Sequence, residues 1–521
     1  MDLTKKNKIY FNFILILLIL PQIYSSPTIK HTAILFLLIL FLWLLSNINK
    51  ILSIVFIFYI TIINIFQIHI FTHWGRDGSM SDRIGVVMQS PAYEMIEYLD
   101  SFVGFFDILF ALYSFIVFFI LAWLLLKIDI KQIKFKKRYI FFSIILLLGL
   151  QNQEPLKLIK YYFQTSKINN SILERKLFLQ KYKPPKKEEN FTHLYDKIVI
   201  IQGEAANKHH LRIYGYNKPT TPFLSKLELE QSNMFYKYQA FAPTNQTRYS
   251  VPMLFTPANV DKFYKNFSSN QSIITDFKHK GYKTYWISNQ DNIGIHEDSI
   301  VNIAYEADET KFLNDGTTDA VLINYLKQIK TNKNKELFVF HLMGSHVKYK
   351  QRYKKDSVLV NDSKTVVDEY DNTIYYTDSI LANIFEHFNK QKQKTIFIYI
   401  SDHGEVVDTK KHGHGFFPSF KDEYDIPFVV YSSIKNEKLD ELLQQNNKKF
   451  NLENLNYIIK YITSLQDENN ISFSNKIFSL SPKNKLDYNK LEKYNKGVKG
   501  ISAKPLSSTQ VEHSLKKVKT N

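Results

Sequence analysis

The chain contains no cysteine. That absence excludes disulfides and a cysteine nucleophile together, so a domain placed outside the cell must rely on its apolar core. A Gly-x-Ser-x-Gly nucleophile turn is also missing, and no internal repeat is evident. No clear small-residue cleavage site follows the first apolar run, which argues against a removed signal peptide. Acidic residues are in deficit: 49 Asp and Glu face 67 Lys and Arg, leaving a net charge of +18. So basic a chain admits nucleic acid as a partner, with a solvated lysine-rich surface as the plain alternative. The apolar N-terminal part directs the expectation to anionic lipid headgroups or lipopolysaccharide instead, and not to nucleic acid.

What the sequence has in abundance is long hydrophobic runs near its start. Among 521 residues, apolar stretches cover Tyr10–Tyr24, His31–Leu45, Ile51–Phe71, Phe102–Leu126 and Tyr139–Leu150. A membrane span needs about 20 such residues. The third and fourth runs meet that length, and shorter ones are accommodated by thinning or by snorkelling lysines. The expectation is a transmembrane domain of five helices over residues 1–152. Lys5, Lys6 and Lys8 precede the first run, and a basic segment from Lys127 to Arg138 separates the fourth from the fifth. The positive-inside rule puts both in the cytoplasm. Everything after Leu150 then lies outside; in a bacterium-like cell that is the periplasm, and the chain is an inner-membrane protein with several spans.

Residues 153–190 read as an amphipathic connector, with Leu156, Ile159, Tyr162 and Phe163 at helical spacing and a Pro184-Pro185 break near its end. Residues 481–521 are Lys- and Asn-rich and read as a loosely ordered basic tail. Between them, over 191–480, strand-like runs at Lys197–Gln202, Lys283–Ser288, Leu337–Leu342, Thr395–Ser401 and Ile426–Ser432 alternate with helical stretches such as Thr318–Lys330 and Thr373–Asn389. This alternation predicts an α/β domain, a mostly parallel sheet with helices on both faces.

Several of these strands end in chemistry. Asp402-His403-Gly404-Glu405 follows an apolar run, and in open α/β sheets ligands bind at strand tips. Asp and neutral His are good zinc ligands. Gln202-Gly203-Glu204 ends the first strand, where Glu in the first turn of a helix is the ordinary alternative. His341 and His346 follow the third, and His412 and His414 sit in a Gly-rich loop. The hydroxyls of Thr244, Thr247 and Ser250 are candidate nucleophiles, since a hydroxyl beside zinc loses its proton more easily. A Thr/Ser cluster ahead of a helix is otherwise most often a cap.

These motifs, in this order, resemble the phosphoethanolamine transferases of the alkaline phosphatase and sulfatase superfamily. The segments concerned are Gly203-Glu204, Tyr214-Gly215-Tyr216 with Thr220-Thr221-Pro222, Thr247–Pro252, His341–His346, Tyr370–Asp378 and Ser401–Glu405. The resemblance implies an alkaline phosphatase-like periplasmic domain behind five membrane spans. It implies that Glu204, Thr247, Asp402 and His403 bind zinc, that Thr247 is the nucleophile, and that His346 and one Gly-rich-loop histidine, His414 before His412, contact the phosphoethanolamine group or a second zinc. Asn289 is placed among the polar substrate contacts. It further implies phosphatidylethanolamine as donor, a phosphoethanolamine-threonine intermediate, and a lipopolysaccharide or other envelope acceptor. Many relatives carry periplasmic disulfides, one bracketing the nucleophile segment; here packing alone must position Thr247. A phosphoglycerol transferase, a sulfatase and a non-catalytic anchor for anionic glycolipid are the alternatives. A sulfatase needs Cys or Ser for formylglycine, and Thr stands at that position.

Overall fold

The computed structural model describes residues 3–25, 29–46, 48–74, 92–127, 141, 170–182, 193–292, 298–313, 318–330, 335–416, 418–445, 449–465, 471 and 473–494. The chain divides into two compact units, one of Met1–Met88 with Tyr93–Thr165, the other of Gln89–Ala92 with Ser166–Asn521.

The first unit is helical. Leu3–Ser25, Ile29–Ser46, Lys50–Trp74, Ala92–Phe102 and Phe105–Lys127 form helices, so four of the five expected apolar runs are helical. Leu15, Leu42, Ile57, Ile60 and Leu121 meet in its centre. The opposite faces are also apolar: Phe106 is 80% exposed and Phe119 65%. In water such surface is costly, whereas lipid solvates it. Two of the helices, Lys50–His73 and Phe105–Lys127, are long and apolar enough to cross a membrane. The apolar stretches at Ile9–Leu18 and Leu37–Ser46 are shorter. The fifth expected span lies, apart from residue 141, outside the described residues, as do most of the connector and the end of the tail.

Among its described residues the second unit carries ten short strands: β1 (Lys197–Gly203), β2 (Phe235–Phe241), β3 (Lys283–Ser288), β4 (Glu309–Phe312), β5 (Glu336–His341), β6 (Thr395–Ser401), β7 (Val406–Val407), β8 (His412–Gly413), β9 (Asp425–Ser432) and β10 (Phe450–Asn451), besides a C-terminal hairpin. Eight form one sheet in the order β10-β2-β9-β6-β1-β5-β3-β4. Its pairings are parallel except those of β9 with β2 and β6. Ile198 and Ile200 of β1 face one apolar core, and Val199 and Ile201 the other. Burial of alternate residues on both faces is what makes these runs continuously hydrophobic.

The tail departs from expectation. Lys485–Asp487 pairs with Lys476–Phe478, and the Tyr488 ring stacks on Phe241 at 4.1 Å. Two aromatic anchors, Tyr488 and Tyr494, order residues 481–494, where composition pointed only to lysine and asparagine. Tyr488 donates to Asp425 and the Tyr494 ring meets Phe420 edge-on.

Candidate functional site

Strand register builds the site. β1 lies between β5 and β6, with Gly203 opposite Ser401 and Gln202 opposite His341. All three strands run in the same direction, so Glu204, Asp402-His403 and the His341–His346 turn leave the sheet at one edge. The turn at Glu204 is clasped from several sides. Ala205 adopts a left-handed φ of 55°, held as its N–H donates to Asp402 Oδ1 (3.3 Å) and its carbonyl accepts from the Tyr370 hydroxyl (2.6 Å). Ser345 N donates to Glu204 O (2.9 Å). Gly344, at φ 53°, lets that loop approach: a Cβ there would lie 2.8 Å from both the N and the O of Glu204.

Thr247 opens the helix Thr247–Phe255. Its Oγ1 lies 3.3 Å from Glu204 Oε2 and 3.1 Å from His403 Nε2. Around it Arg248 to Phe255 are all buried, while Thr247 itself is part-exposed and therefore reachable. Pro252 cannot donate to the Arg248 carbonyl, and the Ser299 hydroxyl supplies that bond instead (3.1 Å). Of the other two candidate hydroxyls, Thr244 is fully buried and Ser250 donates to Asp402 O (2.6 Å). Ser250 fixes the Asp402 backbone and is not presented to the site.

Glu204, Asp402 and His403 are fully buried, and their ligand atoms all fall within 4.8 Å of one another. His403 Nε2 is 3.1 Å from Glu204 Oε1 and 3.4 Å from Asp402 Oδ2. Nδ1 of His403 donates to the Gly404 carbonyl (2.9 Å), which orients Nε2 toward the carboxylates. Burial, and then the charge of Glu204, push Asp402 up to about 8. Burial opposes charge on His403, but Asp402 and Glu204 outweigh it and lift the imidazole to about 10. Burial likewise opposes ionisation of Glu204, yet the His403 charge holds its carboxyl well below the usual range. Asp402 Oδ2 is buried with no hydrogen-bond partner. Two carboxylates, one of them with an unsatisfied oxygen, an imidazole and a hydroxyl form a donor set that fits a divalent cation of the zinc type.

The other candidates separate into those near this cluster and those apart from it. The ring of His414 lies 4.0 Å from that of His403, and its Nδ1 is bound by Glu405 Oε2 (2.8 Å). Glu405 in turn accepts from the Tyr349 hydroxyl (2.7 Å). His412 sits instead in the small hairpin opposite Val407, with its ring 6.2 Å from that of Tyr349. His346 is part-exposed at the Ser345 turn; desolvation and then the Arg352 charge pull it down to about 3. His341 is buried beneath the site, its Nδ1 3.1 Å from the Ser288 hydroxyl. Asn289 is not presented to the cluster: its amide donates to Asp319 (2.9 Å), which also accepts the N–H groups of Met343 and Gly344. Its neighbour makes the contact. Gln290 Nε2 donates to Glu204 Oε2 (3.3 Å) and to Leu342 O (2.9 Å). The sequence signal was a polar pair after β3, and it does not say which member turns inward. Glu423 was also missed; it accepts from the N–H groups of Gly415, Phe416 and Phe420 and so pins the Gly-rich loop.

The family described as Sulfatase matches residues 196–459. The phosphoethanolamine transferase EptC of Escherichia coli O18:K1:H7 is 27% identical over 261 residues, covering 46% of this chain and 45% of that protein. EptA of Helicobacter pylori is 29% identical over 282 residues, 50% of this chain and 51% of that protein. The aligned part of the chain thus spans about half the length of these curated relatives. Among solved structures, the zinc complex of the C-terminal periplasmic domain of EptC from Escherichia coli gives a TM-score of 0.51 at 22% identity, covering 60% of this chain and 99% of that one. The integral membrane lipooligosaccharide phosphoethanolamine transferase EptA of Neisseria meningitidis gives 0.59 at 15% identity, covering 83% and 87%. Both likenesses establish the alkaline phosphatase-like fold. The matched stretch begins at β1 and takes in Glu204, Thr247, Asp402 and His403, and on it the chain belongs to the Sulfatase family.

Proposed function

We propose that this chain is a zinc-dependent phosphoethanolamine transferase of the bacterial inner membrane, with phosphatidylethanolamine as donor and a lipopolysaccharide or other envelope molecule as acceptor. The observation that carries the reading is the part-exposed Thr247 hydroxyl, 3.1 Å from His403 Nε2 at the mouth of a buried Glu204-Asp402-His403 cluster. Glu204, Asp402, His403 and Thr247 would hold the ion. Zinc, when bound, acts as a Lewis acid and lowers the pKa of the hydroxyl beside it. Relatives named phosphoethanolamine transferases support the choice of transferred group, and one named Kdo(2)-lipid A phosphoethanolamine 7''-transferase supports a glycolipid acceptor. In this reading residues 1–152 supply five spans, 153–190 a surface connector, and the domain from residue 191 faces the periplasm.

Thr247 Oγ1 gives up its proton and attacks the donor phosphorus in line. The bond from phosphorus to the diacylglycerol oxygen breaks, and that oxygen leaves protonated as diacylglycerol. Phosphoethanolamine is then esterified to Thr247; the acceptor's hydroxyl or phosphate oxygen bonds to the phosphorus, the bond from phosphorus to Thr247 Oγ1 breaks, and Oγ1 regains a proton. His414, held by Glu405, and His346 line the approach to Thr247 and contact the phosphoryl group. Two displacements at one hydroxyl give ping-pong kinetics.

The test is incubation of the detergent-solubilised protein with phosphatidylethanolamine, peptide mapping at Thr247 and assay of diacylglycerol. An adduct on Thr247 with diacylglycerol release, both absent in Thr247→Ala, is expected. Turnover of phosphatidylglycerol alone would move the protein to phosphoglycerol transfer, and silence with both lipids would leave the non-catalytic anchor.

A further inference from the structure

The helical unit holds a second convergence of metal-competent donors, separate from the cluster at Thr247. His69 and His73 lie four residues apart on the helix Lys50–Trp74, so their rings share one face. The ring centroids are 4.6 Å apart. Asp107, in the first turn of Phe105–Lys127, reaches both. Its Oδ1 is 2.8 Å from His69 Nδ1 and its Oδ2 is 3.3 Å from His73 Nε2. One ligand atom from each residue falls within 4.8 Å of the others. The far side of the His69 ring is held as well: Nε2 lies 2.8 Å from the Tyr98 hydroxyl, on the helix Ala92–Phe102. His69 is 7% exposed. The two long helices run antiparallel, since Lys50 donates to the Leu126 carbonyl at their other end. The cluster therefore occupies the end away from the lysines.

An aspartate among apolar helices is expensive and calls for a partner. A single histidine would suffice as that partner; here two imidazoles and a carboxylate point at a common space. We infer that His69, His73 and Asp107 form a second divalent-cation site, for zinc or another first-row ion. Two neutral imidazoles and one carboxylate are a donor set such ions take. The Tyr98 hydroxyl on the second nitrogen of His69 is the outer-shell bond that fixes a ligating ring. Beside these three ligands, a water or a phosphate oxygen of a lipid headgroup would complete a four-coordinate site.

Zinc per chain, measured on the full-length protein after loading and desalting, decides the matter. In Glu204→Gln/Asp402→Asn, whose helical unit is untouched, about one equivalent is expected to remain, and X-ray absorption should show two imidazoles and oxygen around it. Adding His69→Ala and His73→Ala should remove it. No residual metal in Glu204→Gln/Asp402→Asn would overturn the proposal, as would a residue of metal unchanged by the histidine substitutions. Those two results would mean that Asp107 is merely a helix-terminal carboxylate bonded to histidine. Failure of the Thr247 reading has a different signature, namely full metal content without a lipid-derived adduct.

Discussion

At the scale of single residues, the four proposed ligands do not stand alone. Gln290 ties Glu204 to the Leu342 carbonyl, bridging β1's exit and β5's exit with one amide. Outer-shell partners of this kind are worth about 10- to 100-fold in metal affinity. Gln290→Ala is accordingly expected to weaken zinc binding by about 10-fold in a metal-buffered titration, with far-UV circular dichroism unchanged; an unaltered affinity would reduce Gln290 to a packing role. Glu204, Asp402, His403 and His346 were legible in the sequence because they stand after apolar runs, whereas Thr247 sits in a polar segment and was singled out only by its hydroxyl and by the resemblance. Asn289 was not separable from Gln290, because the direction a side chain takes after a strand depends on what occupies the space, here Asp319. His414 and His412, both followed by glycine, are likewise told apart only by the hairpin that turns one toward Tyr349 and the other toward His403.

At the scale of elements, the site depends on loops that touch backbone to backbone. Gly344 is the clearest case, with its left-handed φ and Glu204 N and O at 2.8 Å from any added Cβ. Gly344→Ala is expected to destabilise the second unit by about 2–4 kcal/mol, through strain and overpacking together. A urea unfolding series would read this as a lower midpoint at constant slope, and an unchanged midpoint would show that the His341–His346 turn can move aside. The helix Val366–Asn389 is the other organiser: Tyr370 holds Ala205, Thr373 donates to Ser345 (2.7 Å), and Asp378 accepts the first N–H groups of Pro222–Glu230. Five strands announced themselves by continuous apolar runs. β2 did not, because Lys237 and Gln239 interrupt it on the face where Ile213 and Lys208 take up their polar groups.

At the scale of the whole molecule, a buried pair of carboxylates without disulfides nearby makes a cation part of the folding balance. A ligand at about 100 times its dissociation constant adds about 2.7 kcal/mol to the folded state. Zinc is therefore expected to raise the unfolding temperature of the second unit, and a chelator to lower it, in differential scanning calorimetry. Glu204→Gln/Asp402→Asn should abolish that shift for the second unit; a shift that persists would place the stabilising ion elsewhere.

The sequence by itself determined the two-part character of the chain, the α/β alternation and the residue types that stand at the strand ends. These follow from local rules, namely hydrophobic period, span length and what comes after an apolar run. The tertiary structure decided which strands are neighbours, that β9 runs against the rest, and that a lysine-rich tail is anchored by Tyr488. It also decided that Thr247 lies 3.1 Å from His403, although 156 positions separate them. Those outcomes depend on pairings between distant segments, whose energies are set by complementary surfaces that no local pattern contains.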